Sequence, residues 1–202
     1  MQDFFNPYSA IRIHGSTLPH WQQGSAYVFT TWRLADSLPL DLLREWKAER
    51  EVWMAQHPSP WSQGVWDQYN ELFPERMESW LDRGMGSCLL RQAALRRIVC
   101  LALRFFDGDR YTVAGFVVMP NHVHIVFQPM QGYLIEEILH SWKSYTSKEL
   151  NKLTGARGEL WQRGYWDRLI RSRAHFEHCL RYMRENPSVA RLPAGDYTIF
   201  ER

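Results

Sequence analysis

Read along the chain, the order strand, helix, hairpin, helix, strand predicts an α+β fold. The expected core is a ferredoxin-like β-α-β-β-α-β antiparallel sheet with a helical insertion and an extra C-terminal helix. Three observations predict it. Two apolar runs, 111–118 and 122–128, flank the turn signal Met119-Pro120-Asn121 and make a hairpin candidate. Helical periodicity occupies the stretches before and after that hairpin. The length, 202 residues with 45% apolar and 23% charged content, suits a single soluble domain with a real core.

The elements follow in order. Residues 1–20, with Pro7, Gly15 and Pro19, read as an irregular lead-in. Ser25 to Arg33 is rich in aromatic and β-branched residues, which predicts a first strand. From Pro39 to Gln56 the pattern is helical, with Leu42, Leu43, Trp46 and Trp53 on one side, until His57-Pro58-Ser59-Pro60 breaks it. Residues 61–86 form a Trp-rich, mostly helical excursion, so 37–86 is an insertion in one domain spanning 1–202. Ser87 to Phe106 predicts an amphipathic helix with Leu90, Ala94, Ile98, Leu101 and Phe105 near one stripe. After the hairpin a helix is expected over 134–153, with Ile135, Ile138, Leu139, Trp142 and Leu153 as its apolar positions. A strand falls within 160–170, and a last helix over 173–185 is expected to stop at Asn186-Pro187.

Composition narrows the function. No apolar run approaches the ~18–20 residues that span a bilayer. No basic and then apolar leader opens the sequence, and Cys88, Cys100 and Cys179 form no Cys-x-x-Cys pair. These features predict a cytoplasmic protein with reduced thiols, away from membranes, and argue against a zinc knuckle. Formal net charge is +2, but residues 143–184 hold 10 Lys or Arg against 4 acids, a local +6 that leaves −4 on the rest. A basic region on a slightly acidic body fits a polyanion contact on one face.

The chemistry-bearing residues are His122 and His124. At i and i+2 on a strand they share a face, and two neutral imidazoles side by side can hold one divalent ion. On the last helix, Phe176, Cys179, Leu180 and Met183 form the apolar stripe. A second line runs His175, His178, Tyr182, Asn186. It sets a phenol, a possible nucleophile, one turn before an amide whose oxygen could join the same metal. The runner-up nucleophile is Tyr145, which falls on or beside the core stripe of the helix before it. No carboxylate is evident beside the histidines.

These residues resemble the single-tyrosine HUH transposases, a group also described as IS200-like, and within it the REP-associated tyrosine transposases. Met119-Pro120-Asn121-His122-Val123-His124 is similar to the family's HUH motif. Tyr182 with Asn186 matches a late-helix tyrosine followed four residues on by Gln or Asn. Trp161-Gln162-Arg163, Trp166, Ile170-Arg171 and the Asn186-Pro187 ending resemble the REP-associated branch. The likeness covers residues 20 to 192, and the Trp-rich segment departs from compact members.

The resemblance implies metal-dependent nicking and joining of single-stranded or REP-like hairpin DNA. Tyr182 would form a 5′-phosphotyrosine link, with Mg²⁺ or Mn²⁺ on His122, His124 and Asn186. A monomer or homodimer is expected. The basic region then acquires a use: Lys143, Arg163, Arg168 and Arg171 on phosphates, with Trp161, Tyr165 and Trp166 stacking on bases. His175 or His178 could assist proton transfer. Two other readings stay open: a non-catalytic DNA-binding regulator on the same fold, and a metallohydrolase using water.

Overall fold

The computed structural model describes residues 3–14, 20–58 and 61–202. In chain order its elements are β1 (Arg12–His14), β2 (His20–Gln22), β3 (Val28–Arg33), α1 (Leu40–Gln56), α2 (Gln63–Asn70) and α3 (Arg76–Asp82). There follow α4 (Ala93–Arg104), β4 (Tyr111–Val118), β5 (His122–Pro129), α5 (Ile135–Thr154), β6 (Trp166–Leu169), α6 (Arg173–Val189) and β7 (Thr198–Glu201). A π-helical turn, Glu71–Glu75, joins α2 to α3 and accommodates Pro74, which has no N–H to give an α-helical ladder. A 3-10 turn, Leu89–Arg91, precedes α4.

The main sheet has the order β6-β3-β5-β4-β7, with every pairing antiparallel. Its first four strands, with α4 and α5 as crossovers, are the ferredoxin-like arrangement expected from the sequence. The hairpin β4–β5 supplies two of the inner strands. Its connecting turn is enclosed: Met119 N–H donates to His122 O, while Pro120 O and Asn121 O accept from Leu90 and Leu34 N–H.

Side-chain alternation on β5 sorts the two faces. Val123, Ile125 and Phe127 point toward α4 and α5, into a core with Val28, Trp32, Leu103, Leu139 and Trp142. His122 and His124, on the other parity, share their face with Val126, which packs with Phe29, Val117, Cys179 and Met183 beneath α6. Both faces are covered, so β5 is buried along its whole length. Gly115 lets this layering close up: a Cβ there would stand 3.0 Å from Phe200 O of β7 and 3.1 Å from Leu180 Cδ2 of α6.

The insertion has its own core. Leu43, Trp46 and Trp53 of α1 pack with Tyr69, Phe73, Met77 and Leu81, and Trp166 of β6 packs against them. Its far end is locked at Gly86, where a Cβ would meet Asp36 O at 2.3 Å and φ is +82°. Ser87 N–H donates to Asp36 Oδ2 across the same junction, at 2.8 Å.

Several expectations are corrected. The stripe on α4 is Leu95, Val99, Ala102 and Leu103, while Leu101 and Phe105 are exposed. The helix begins only at Ala93, after the 3-10 turn, so Leu90 does not set its phase. On α5, Leu150 is buried in place of Leu153, which is exposed. Helix α6 runs through Pro187 to Val189 rather than stopping at Asn186, with Pro187 buried inside it. The lead-in contains the ribbon β1–β2, and β7 extends the sheet beyond the strands that the sequence pattern predicts. Residues 15–19 of that lead-in, with Gly15 and Pro19, and Ser59-Pro60 of the predicted break lie outside the described residues.

Candidate active site

His122 and His124 reach the face under α6 because they sit at alternate positions of an inner strand. Each ring is fixed through its Nδ1. Thr31 lies directly across from His124 in the β3–β5 register, with Oγ1 2.7 Å from His124 Nδ1. Asn121 Oδ1 lies 2.7 Å from His122 Nδ1. The Asn121 amide donates to Leu81 O at 3.1 Å and Met85 O at 3.2 Å, so its oxygen must face the ring. His122 Nδ1 is therefore the protonated nitrogen, and Nε2 carries the free lone pair.

The rings meet edge to face at 4.7 Å between centroids, and exposure is 1% for His122 and 0% for His124. Burial holds His122 down to about 3 and His124 well below its ordinary value, with the neighbouring ring adding to the latter. Both imidazoles are neutral, as metal ligands must be.

The unbroken course of α6 keeps Tyr182 and Asn186 one turn apart on a single face. The Tyr182 ring meets His124 edge to face at 5.3 Å and Phe29 at 6.0 Å. Asn186 Nδ2 donates to Tyr182 Oη at 3.2 Å and to Asp82 Oδ1 at 3.3 Å. A carboxylate on that side can only accept, which sets the amide nitrogen there and turns Oδ1 toward His122.

Asn186 Oδ1 and His124 Nε2 are both buried without a hydrogen-bond partner. Unpaired buried acceptors cost free energy unless something supplies positive charge. With His122 Nε2 they make a neutral N,N,O donor set of the kind that could hold one divalent ion. Among the described residues no group of three or more His, Cys, Asp or Glu could do so instead.

Two residues of this site carry no signal in the sequence pattern. Glu78 and Asp82, one turn apart on α3, come from the Trp-rich insertion. Asp82 accepts from Asn186, and Glu78 is hydrogen-bonded to Tyr182. These carboxyl groups meet Tyr182 and Asn186 rather than joining the histidine pair. Burial and then the charges of Glu78 and Asp82 push the Tyr182 hydroxyl up, while Arg168 pulls it down. Burial, opposed by the Asn186 hydrogen bond, leaves Asp82 at about 6.

The remaining predicted residues divide. Tyr145 is 52% exposed on α5, a helix on the other side of the sheet from the histidines, so it neither packs in the core nor approaches them. Trp161 is 5% exposed, with its indole N–H donating to Thr146 Oγ1 at 2.8 Å and its ring against Trp32. Its faces are spent on the core, which overturns base stacking there. Trp166 packs on Trp46, and Tyr165 stacks on His20. Lys143 Nζ donates to Gln162 O and Gly164 O, both at 2.7 Å, and so ties down a loop; burial lowers it to about 8. Arg163 pairs with Glu159 at 2.7 Å. Arg168 and Arg171 are exposed, and the Arg168 guanidinium lies 4.8 Å over Phe29, on the face of the site. His175 accepts from Arg171 N–H, and His178 contacts Arg181.

The family described as "Transposase IS200 like" matches residues 90–186. Over that stretch the chain is similar to the IS200-like transposases. The matched segment contains all of His122, His124, Tyr182 and Asn186, whereas Thr31, Glu78 and Asp82 precede it. Among solved structures, one described as a REP-associated tyrosine transposase bound to a REP hairpin aligns at 17% identity and a TM-score of 0.46. The alignment covers 87% of this chain and 74% of that one. No curated protein matches significantly. Among the described residues no helix is long and apolar enough to cross a membrane.

Proposed function

We propose that this protein cleaves and rejoins single-stranded DNA through a 5′-phosphotyrosine link on Tyr182, with REP-like hairpin DNA as substrate. One observation carries the reading: a helix-borne phenol stands against two neutral histidines and an amide, with His124 Nε2 and Asn186 Oδ1 buried without hydrogen-bond partners. His122, His124 and Asn186 would hold Mg²⁺ or Mn²⁺. When bound there, the ion supplies Lewis-acid polarisation of the scissile phosphate and offsets charge that develops on it. Asn121 holds the His122 imidazole in the ligand tautomer, and Thr31 holds the His124 ring in place.

Tyr182 supplies the nucleophile. A phenol near pKa ~10 is weak at neutral pH, and here burial raises it further, so it needs both a cation and a proton acceptor. The Asn186 N–H donates to the phenolic oxygen and would stabilise the phenolate as it forms. The covalent link conserves the phosphodiester, so a 3′-hydroxyl can reverse the step. Arg168 and Arg171 would contact the DNA backbone from the face beside α6.

The test is incubation with an end-labelled single-stranded hairpin and Mg²⁺. A covalent protein–DNA adduct is expected, abolished by EDTA and by Tyr182→Phe; an adduct that survives Tyr182→Phe contradicts the reading. A second reading, a non-catalytic DNA-binding regulator, draws on the closure of the site, since Asn186 is only 2% exposed and His124 fully buried. It requires DNA binding that is indifferent to EDTA and to His124→Ala, with no adduct at all.

A further inference from the structure

Helix α3 is two-sided. Met77 and Leu81 face the core of the insertion, packed with Phe73, Leu43 and Trp46. Glu78 and Asp82 each come one residue later, so they form a second line that meets α6. The insertion is thereby anchored on one side and delivers carboxyl groups on the other.

The hydrogen bonds at Tyr182 Oη have a direction. Asn186 Nδ2 is a donor and can only give its hydrogen to the phenolic oxygen. The phenol's own hydrogen is left for the Glu78 carboxyl, to which Tyr182 is hydrogen-bonded. The two histidines on α6 are engaged elsewhere, His175 with Arg171 and His178 with Arg181. Arg168 acts electrostatically on both Glu78 and Tyr182.

We propose that Glu78 is the proton acceptor for Tyr182, so that the insertion completes the catalytic centre of the chain. This rests on Tyr182 being the nucleophile. In the step, the Tyr182 O–H bond breaks and its proton passes to the Glu78 carboxylate. The freed electron pair forms the Oη–phosphorus bond, the phosphorus–O3′ bond breaks, and the departing 3′-oxygen takes up the proton that Glu78 holds. Rejoining runs the same transfers backwards. Burial raises the Glu78 carboxyl above its ordinary value, which improves it as an acceptor from a phenol. Asp82 has a different task, holding the Asn186 amide so that its oxygen stays turned away from the phenol.

The experiment measures single-turnover adduct formation on a labelled single-stranded hairpin oligonucleotide with Mn²⁺. Glu78→Gln should slow it by about 10²–10⁴-fold, with Mn²⁺ affinity, oligonucleotide affinity and Tm unchanged. Replacing Tyr182 with a trifluorotyrosine, whose hydroxyl is far more acidic, should recover most of that loss in the Glu78→Gln background. A purely structural glutamate would not be rescued in this way. Glu78→Ala is the second variant, and its rate should rise with added formate. Unchanged rates in Glu78→Gln, or losses that neither trifluorotyrosine nor formate restores, overturn the proposal. An unsubstituted chain that forms no adduct on Tyr182 instead removes the nucleophile reading, and this inference with it.

Discussion

Asn121 and His122, neighbours in sequence, are joined side chain to side chain at 2.7 Å. The Asn121 amide nitrogen is at the same time held by Leu81 O and Met85 O, at the end of α3 and just beyond it. One asparagine thus connects the docking of the insertion to the tautomer of a metal-ligand candidate. The Pro-Asn turn does more than reverse the chain.

Removing that connection should weaken metal binding before it disturbs the fold. Asn121→Ala is expected to lower Mn²⁺ affinity by roughly 10–100-fold, as removal of a partner behind a ligating histidine does. It should also cost about 1–3 kcal/mol through the two carbonyls left unpaired. Asn121→Asp keeps an acceptor for His122 but not the donors, so it should retain more Mn²⁺ affinity at similar stability loss. Calorimetric titration with Mn²⁺ and urea unfolding of both variants check this.

Acid should destabilise the metal-free protein through its histidines. Burial depresses His122 to about 3 in the fold, whereas in the unfolded chain it titrates near ~6.5. Protons therefore bind the unfolded chain first. The stability contribution is complete above pH ~6.5 and is lost as pH falls from there toward about 3, and His124 acts in the same direction. Urea unfolding in EDTA between about pH 7.5 and about pH 4 should show this slope, reduced in His122→Asn.

How much of the molecule is legible in its sequence depends on range. The hairpin, the shared face of His122 and His124, and the Tyr182–Asn186 spacing are local patterns, and local geometry preserves them. Glu78 and Asp82 are not legible, because their role depends on α3 docking against α6, with Asp82 and Asn186 104 residues apart in the chain. In the sequence they are two acids on an insertion. Pro187 misleads for a related reason: proline disfavours a helical residue before it, yet burial of Asn186 and Pro187 on the inner side of α6 outweighs that preference. Tyr145 and Trp161 exchange their expected places. The phase of α5 turns Tyr145 outward, and an indole–Thr146 hydrogen bond draws Trp161 in.

The buried position of Trp161 makes it a stability residue. Trp161→Ala should cost about 3–5 kcal/mol, read as a lower urea midpoint. Trp161→Phe, which keeps the ring packed on Trp32, should cost less and leave oligonucleotide affinity unchanged. A selective loss of DNA binding in a stably folded Trp161→Phe protein would restore the stacking role.

DNA binding should depend on the cations beside α6. Arg168→Ala and Arg171→Ala are each expected to weaken single-stranded hairpin binding. Each should also make the slope of log affinity against log salt shallower by about 0.7 for every phosphate no longer neutralised. Arg163→Ala, which breaks an exposed ion pair with Glu159, should change both far less. Fluorescence anisotropy over a salt series separates them.

If Tyr182 supplies the oxygen that attacks phosphorus, the residue left linked to DNA identifies it. The adduct formed on a single-stranded hairpin with Mn²⁺ is digested and the DNA-bearing peptide sequenced by mass spectrometry. A 5′-phosphate remnant on Tyr182 alone is expected. A remnant on Tyr145 or another tyrosine, or a free 5′-phosphate end with no linked peptide, would contradict it.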